Sequence, residues 1–209
     1  MRLFLKLKAN NRHMRTYKPK AFIFDLDGTL VESDLNFTTI REAIGCPTDQ
    51  DILTFITELE SDTQRYNAEQ VVLEHELQDA YFAKWIDGAQ RFVIELYQQK
   101  IPMAIVTRNC RAATSVKVSN NNIPIKTIVT REDAPAKPDP TALLMIAEEW
   151  GMTPSDIAYV GDYIYDIQAA NNAGMQAWSY RFDAQHYPAN NVDKYFECFT
   201  QLHQELVPE

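Results

Sequence analysis

Two aspartates, Asp25 and Asp27, stand two positions apart in the last part of an apolar run that begins at Ala21. Side chains alternate along a strand, so both carboxylates are expected on the same side. Carboxylates this close repel each other when both are ionised, and therefore either one keeps a proton or a cation lies between them. The pair could thus carry acid–base chemistry or help to hold a metal ion. The alternative is an acidic turn at Gly28 in which Asp27 only caps the next segment.

Two further segments have residue types that suit a phosphate group. Thr107, Arg108 and Asn109 follow the apolar run 101–106. A hydroxyl at a strand end, followed by free backbone N–H groups, suits a phosphate oxygen, although Thr107 could instead cap the next helix. Lys137 lies in a rigid Lys-Pro-Asp-Pro segment, which would hold its ammonium group where it can neutralise a phosphate. The alternative is that Lys137 is an ordinary solvated lysine.

A second pair of acids, Asp162 and Asp166, follows the apolar run that starts at Ile157. Asp162 ends a predicted strand, and Asp166 lies on the same face one turn later if a helix begins there. Carboxylate oxygens are hard ligands that suit Mg²⁺, which takes one or two carboxylates, several waters and a substrate phosphate oxygen. The alternative is that Asp162 caps the helix that contains Asp166.

The elements that must position these residues alternate between strands and helices. Short apolar runs predict the strands, and apolar residues at helical spacing predict the helices. The alternation predicts an α/β fold with a parallel sheet, and in such sheets ligands bind at the carboxyl ends of the strands. The predicted strands are 21–26, 101–107, 125–130, 157–161 and 175–180, and the predicted helices are 89–97, 143–150 and 164–173.

One segment, residues 34–87, interrupts this alternation because it contains no convincing strand. Its apolar residues fall on two helical faces, and Thr48 is the expected N-cap of the first. We therefore expect an all-helical insertion after the first strand. Residues 32–88 contain 13 acidic and 3 basic side chains, which argues against a polyanionic ligand such as nucleic acid.

The composition fits a globular protein with one domain and a small insertion, since 45% of its 209 residues are hydrophobic and 23% are charged. No apolar run approaches the roughly 18 residues of a membrane-spanning helix. A net charge of −9 argues against nucleic acid as a partner of the whole chain. Three widely spaced cysteines without a CxxC pair predict neither a zinc site nor disulfides, and they favour a reducing, cytoplasmic location.

The four motifs together resemble those of the haloacid dehalogenase (HAD) superfamily. The helical insertion resembles the small C1-type cap of the phosphoglycolate phosphatase and β-phosphoglucomutase branch. The resemblance implies a Rossmann-like core at 21–33 and 88–209, a helical cap at 34–87, and a basic N-terminal arm at 1–20. The matching segments are DLDGTL at 25–30, TRN at 107–109, KPDP at 137–140 and GDYIYD at 161–166.

The resemblance also implies roles for the four aspartates. Asp25 would be the nucleophile that attacks phosphorus and forms an aspartyl-phosphate. Asp27 would be the general acid for the leaving alcohol and then the base that activates water. The implied cofactor is Mg²⁺, held by Asp25, the backbone carbonyl of Asp27 and Asp162, with Asp166 acting through water.

Binding of the substrate is implied for the remaining motif residues. Thr107, Arg108 and Lys137 would bind the phosphoryl oxygens, Arg108 through its side chain or only through its backbone N–H. Further contacts with the substrate are expected from Asn109 and, in the insertion, from Arg41, Arg65, His75 and Lys84.

The implied function is that of a Mg²⁺-dependent phosphatase acting on a small phosphorylated metabolite. One alternative is a phosphomutase of the β-phosphoglucomutase type, which passes the phosphoryl group to a second hydroxyl. Another is a non-catalytic binding protein that keeps the fold. Asp27 argues against halide displacement, because dehalogenases of the superfamily lack an acid there, whereas Lys84 leaves the Schiff-base chemistry of phosphonatase relatives open. The sequence predicts no oligomeric state.

Overall fold

The computed structural model describes residues 18–181 and 191–206 of the chain. The basic arm predicted at 1–20 lies outside the described residues, except for its last three. Of these, Lys20 forms an ion pair with Asp156 at 2.9 Å, just before the first strand begins.

Six parallel strands form one sheet in the described part of the chain. Their order is β3-β2-β1-β4-β5-β6, so β1 lies between β2 and β4, with Phe22 opposite both Met103 and Ala158. The predicted parallel sheet is confirmed, and the short sixth strand is an addition to the prediction. The strands are β1 (Ala21–Phe24), β2 (Met103–Val106), β3 (Thr127–Val129), β4 (Ile157–Gly161), β5 (Gln176–Tyr180) and β6 (Lys194–Phe196).

Helices flank this sheet and also fill the insertion. No helix among residues 18–181 and 191–206 is long and apolar enough to cross a membrane. The α-helices are α1 (Phe37–Ile44), α2 (Ile52–Glu58), α3 (Asp62–Phe82), α4 (Ala89–Gln98), α5 (Arg111–Asn120), α6 (Thr141–Glu149), α7 (Ile164–Ala173) and α8 (Phe199–Leu206), and a short 3-10 helix covers Pro154–Asp156.

The sheet is apolar on both faces because helices cover both. On one face, Phe22 and Phe24 pack against Phe92 of α4, and Phe199 of α8 closes the same aromatic cluster. On the other face, residues of β1 and β4 pack against α6 and α7. Strands buried on both faces read as continuous apolar runs, which is why β1 and β4 could be recognised in the sequence.

The N-cap expected at Thr48 is wrong, and the alternative cap roles of Thr107 and Asp162 are not found either. Asp51, not Thr48, caps α2, and its carboxylate accepts a hydrogen bond from the backbone N–H of Thr54 at 3.0 Å. Thr48 lies in the preceding turn, in which the N–H of Gln50 donates to the carbonyl of Pro47. The cap of α5 is Cys110 rather than Thr107, and the cap of α7 is Tyr163 rather than Asp162.

Helices α1, α2 and α3 follow β1 and form the predicted helical insertion. A small apolar cluster that includes Ile40, Ile52 and Val72 joins the three helices. The second half of α3 packs on α5, where Ala80 contacts Ala113. The two segments that connect the insertion to the sheet run side by side, because Val31 pairs with Trp85 in an isolated antiparallel bridge.

Candidate active site

One cavity at the carboxyl edge of the sheet collects the residues of all four motifs. Strands β1, β2 and β4 are neighbours, so the residues that follow them meet at this edge. The cavity has a volume of about 410 Å³, and helices α1, α2 and α3 form its other wall. Its motif residues are Asp25, Asp27, Thr107, Arg108, Asn109, Lys137, Asp162 and Asp166.

Three carboxylates form a tight acidic cluster at the base of this cavity. Asp25, Asp162 and Asp166 each have an oxygen within 4.8 Å of the others. Burial raises the pKa of Asp162 to about 6, and the neighbouring Asp166 adds to the shift. Burial also raises the pKa of Asp25 well above its usual range, with Asp166 and Asp162 contributing. Raised pKa values of this origin mark a site where a cation would relieve the repulsion.

Two glycines provide the space for this cluster. A Cβ at Gly28 or Gly161 would overlap the side chain of Asp162 or Asp166, respectively. Gly28 also has a φ of +71°, which L-residues with side chains rarely adopt. Thr29 is fully buried next to Gly28, and its hydroxyl donates to Asp162 at 3.0 Å.

Lys137 is the cationic partner of the cluster. Its side chain is 3% exposed, and its ammonium group lies 2.7 Å from a carboxylate oxygen of Asp25 and 2.7 Å from one of Asp166. The ammonium group also donates to the hydroxyl of Tyr159 at 2.8 Å. Burial lowers the pKa of Lys137, but the two carboxylates outweigh it and the net shift is upward. One ammonium against three carboxylates leaves an excess of negative charge and hard oxygen donors, which fits Mg²⁺.

Asp27 occupies a separate environment from Asp25. Its carboxylate accepts hydrogen bonds from Lys117 of α5 and from the side-chain amide of Asn109. Burial raises the pKa of Asp27, while the attraction of Lys117 lowers it and the nearby Asp79 raises it again. The repulsion expected between Asp25 and Asp27 is therefore not what perturbs them, because each carboxylate points to a different lysine.

Thr107 and Asn109 are held by hydrogen bonds within their own loop. Thr107 is 5% exposed, and its backbone N–H donates to the carbonyl of Val129. The backbone N–H of Asn109, which was expected to be free for a phosphate oxygen, donates to the hydroxyl of Thr107 at 3.1 Å.

Arg108 connects the core to the insertion. Its guanidinium group forms an ion pair with Asp51 at the start of α2, with an N–O distance of 2.5 Å. It also donates to the backbone carbonyl of Lys137 and lies 4.8 Å from the ring centre of Tyr165. Burial of Asp51 raises its pKa, but Arg108 and the hydrogen bonds from Thr54 outweigh it, so the net shift is downward.

Of the four candidates from the insertion, only Arg41 lines this cavity. Its guanidinium group donates to the carbonyls of Pro47 and Gln50 and so also supports the loop before α2. Arg65 binds the carbonyl of Leu59 and the carboxylate of Asp62 away from the cavity. His75 is half-buried on α3 and Lys84 is exposed near the end of the insertion, and neither lines the cavity. Helical spacing alone could not separate these positions, because the packing of the whole insertion against the core decides which of its side chains meet the cavity.

Lys117 and Asp79 were absent from the sequence prediction. The one available signal was the spacing of Ala113, Thr114 and Lys117, which places the lysine on the apolar face of α5. A lysine at such a position is usually solvated, and its burial depends on partners far away in the sequence.

Comparisons with known proteins identify the class of this protein. The family model for haloacid dehalogenase-like hydrolases matches residues 22–179. The chain belongs to this family, and its class is that of the HAD-type phosphomonoester hydrolases.

Particular relatives agree with this assignment. A hydrolase of Saccharomyces cerevisiae is 33% identical over 165 residues, which cover 74% of each chain. The pyrophosphatase PpaX of Bacillus velezensis is 28% identical over 204 residues, which cover 87% of this chain and 94% of the relative. The crystal structure of a predicted phosphoglycolate phosphatase from Haemophilus somnus has the same fold, with a TM-score of 0.69 and 19% identity over 89% of this chain and 97% of that one.

Proposed function

We propose that this protein is a Mg²⁺-dependent phosphatase that hydrolyses a small phosphorylated metabolite through an aspartyl-phosphate on Asp25. The observation that carries the proposal is the cluster of Asp25, Asp162 and Asp166 at the carboxyl edge of the sheet. The buried Lys137 contacts two of these three carboxylates, those of Asp25 and Asp166. A second acid, Asp27, lines the same cavity and has its own hydrogen-bond partners. This arrangement supports two different roles for the two acids of the first motif.

The reaction would proceed in two steps. In the first, a carboxylate oxygen of Asp25 bonds to phosphorus while the bond from phosphorus to the alcohol oxygen breaks, and Asp27 gives its proton to that oxygen. In the second, Asp27 takes a proton from water, whose oxygen bonds to phosphorus and releases Asp25 and inorganic phosphate. The raised pKa of Asp27, caused by burial, supports its role as the acid.

The acidic cluster supports the choice of cofactor. Asp25 and Asp162 would hold Mg²⁺ through carboxylate oxygens, with the backbone carbonyl of Asp27 as a further ligand and Asp166 acting through water. The bound ion would stabilise the charge of the transferring phosphoryl group. Lys137 and Thr107 would contact the other phosphoryl oxygens, and Arg108 would contribute its backbone N–H or its side chain.

The size and lining of the cavity support a small substrate. A volume of about 410 Å³ lies within the usual range for metabolite sites. Arg41 and Arg108 provide positive charge, while Phe37 and Ile52 provide apolar surface on the side of the insertion. Residues 34–87 would act as a cap over this cavity. The cysteines of the chain are free, which supports a reducing cytoplasmic location.

The proposal is tested by replacing the nucleophile. Asp25→Asn should lower phosphate release by about 1,000-fold or more, because the amide cannot form the covalent intermediate. Release of phosphate is measured with phosphoglycolate, sugar phosphates and nucleotides in the presence of Mg²⁺, and EDTA should abolish it reversibly. Glu148→Gln, which removes a charge on the exposed side of α6, is the matched control and should keep full activity.

Several results would contradict the proposal. Asp25→Asn with appreciable residual activity would exclude the covalent intermediate, and activity that resists EDTA would exclude the metal. An isomerised sugar phosphate in place of free phosphate would identify a mutase.

A further inference from the structure

A buried lysine lies next to the proposed acid. Lys117 of α5 has a fully buried side chain, and its ammonium group contacts two carboxylates, those of Asp27 and Asp79. A buried ammonium group is costly to maintain unless its hydrogen bonds are satisfied. The proposed nucleophile, Asp25, contacts Lys137 instead, and Lys117 is not part of the acidic cluster described above.

The carboxylate of Asp27 is held at both of its oxygens. Lys117 donates to Oδ1, and the side-chain amide of Asn109 donates to Oδ2. Two donors on two oxygens define the plane of the carboxyl group. A general acid must be directed at the leaving oxygen to within a few tenths of an ångström, so this hold matters for the rate.

The second partner of Lys117 belongs to the insertion. Asp79 lies in the last turns of α3, and its carboxylate oxygen is 2.6 Å from the ammonium nitrogen of Lys117. The same carboxylate accepts hydrogen bonds from the hydroxyl of Ser33 at 3.0 Å and from the backbone N–H of Asp34 at 2.7 Å. Ser33 and Asp34 lie in the segment through which the chain passes from the core into the insertion. One chain of contacts thus connects this segment, through Asp79 and Lys117, to Asp27.

We propose that Lys117 is a positioning residue, which holds the carboxyl group of Asp27 toward the leaving oxygen and couples this orientation, through Asp79, to the connection between the core and the insertion. The role rests on the proposed phosphatase function, because it acts on the step in which Asp27 passes its proton to the alcohol oxygen as the bond from that oxygen to phosphorus breaks. Lys117 would act through Asp27, because Asp27 lines the cavity and Lys117 does not.

The test compares two substrates that depend differently on the acid. p-Nitrophenolate leaves without a proton, whereas the alkoxide of glycerol 2-phosphate needs one. Lys117→Met should lower kcat/KM for glycerol 2-phosphate by about 10- to 100-fold, and for p-nitrophenyl phosphate by less than about 3-fold. The constant kcat/KM is the suitable measure because it reports only the steps up to cleavage of the first ester bond.

Two further variants keep the test independent of folding. Lys126→Met, which replaces an exposed lysine, should leave kcat/KM unchanged for both substrates. Asp79→Asn keeps the contact between Lys117 and Asp27 but weakens its link to the insertion, and should shift the ratio of the two kcat/KM values in the same direction by a smaller factor. If Lys117→Met does not fold, as judged by circular dichroism, the ratio for Asp79→Asn decides.

The outcomes separate this inference from the proposed function. A selective loss on glycerol 2-phosphate supports the positioning role. An equal loss on both substrates by a folded variant overturns it and leaves Lys117 as a structural residue. No phosphate release by the wild-type protein from any phosphomonoester would overturn the proposed function together with the inference.

Discussion

At the scale of single residues, the two aspartates of the first motif differ in their surroundings more than in their sequence. Asp25 lies against Lys137 and two other carboxylates, whereas Asp27 lies against Lys117 and Asn109. Burial raises the pKa of both, but different neighbours modify each shift. Two acids that are two positions apart can therefore have different chemical roles because opposite sides of the cavity surround them.

Gly161 is needed for the position of Asp166. Gly161→Ala places a Cβ against the carboxyl group of Asp166, so this side chain must move away from Asp25 and Lys137. We expect phosphatase activity to fall by at least about 10-fold, since a displacement of about 1 Å at a catalytic site can cost 100-fold. Steady-state kinetics at several Mg²⁺ concentrations will measure the loss and any weakening of metal binding.

The control for this variant is Gly151→Ala. Gly151 has a φ of +61° and no neighbouring atom within 4 Å of an added Cβ, so the substitution strains the backbone without touching the cavity. It should lower the free energy of unfolding by about 1 kcal/mol and leave kcat/KM unchanged. Full activity of Gly161→Ala, or an equal loss of activity in both variants, would show that the room Gly161 leaves for Asp166 is not needed for catalysis.

At the scale of secondary structure elements, three ion pairs among residues 18–181 and 191–206 connect the insertion to the core. Helix α3 provides Glu76 and Asp79, which pair with Arg131 and Lys117, respectively. The start of α2 provides Asp51, which pairs with Arg108. The carboxylate of Glu76 is buried and also accepts the backbone N–H of Cys110 at 3.1 Å, so the end of α3 is held more firmly than the start of α2.

The contribution of the Asp51–Arg108 ion pair to the free energy of unfolding should depend on pH. Although burial raises the pKa of Asp51, Arg108 and Thr54 lower it by more, so its folded-state pKa lies below 3.8. The ionised carboxylate therefore stabilises the fold fully above the ordinary pKa of 3.8. This contribution is lost as the pH falls through the lower folded-state pKa. Asp51→Asn should lower the free energy of unfolding by about 1 kcal/mol or less at neutral pH, and by a smaller amount at about pH 3.

Asp51→Ala separates the ion pair from the helix cap. Asparagine still caps α2, whereas alanine does not, so the alanine variant should lose about 1 kcal/mol more at every pH. Urea unfolding of both variants at neutral and acidic pH measures these differences. If Asp51→Asn lowers the free energy of unfolding by the same amount at neutral and at acidic pH, the charge of Asp51 does not stabilise the fold.

At the scale of the whole molecule, the position of the cavity follows from the order of the strands. Strands β2, β1 and β4 are adjacent in the sheet. In the sequence, however, the helical insertion separates β1 from β2, and helices α5 and α6 lie between β2 and β4. The carboxyl ends of β1 and β4 bring acidic side chains together at one edge of the sheet, where burial raises the pKa values of Asp25 and Asp162. A protein pays for such a site in stability, because functional clusters of like charge oppose folding until a ligand neutralises them.

This cost can be measured with Asp162→Asn. The folded-state pKa of Asp162, raised to about 6 by burial and by Asp166, means that its ionisation destabilises the metal-free fold. The penalty is absent well below pH 3.8, grows as the pH rises toward 6, and is complete above it. Asp162→Asn should therefore raise the stability of the metal-free protein at neutral pH by about 1–3 kcal/mol.

Thermal unfolding in EDTA and in Mg²⁺ completes this experiment. Mg²⁺ should raise the Tm of the wild-type protein, by binding to the folded state, and should raise that of Asp162→Asn much less. Glu148→Gln removes a charge from an exposed surface and should change neither the Tm in EDTA nor the increase of the Tm with Mg²⁺. A lower Tm of Asp162→Asn in EDTA would contradict the view that the cluster opposes folding.

The sequence predicts the class of fold, the helical insertion and the eight motif residues that line the cavity. Each of these follows from a local pattern, such as an apolar run that ends in polar residues or apolar residues at helical spacing. The pattern of β1 and β4 was clear because both faces of these strands are buried. The three-residue strand β6 is too short to produce a comparable signal.

The partners of these residues, in contrast, depend on how distant parts of the chain pack together. Lys117 and Asp27 are 90 positions apart, and Arg108 and Asp51 are 57 positions apart, so no local pattern connects them. The packing of the insertion against the core also places Arg41 at the cavity but not Arg65, His75 or Lys84. Residue types follow local rules of spacing, whereas the partner of a charged group depends on which distant elements fold against it and exclude water from it.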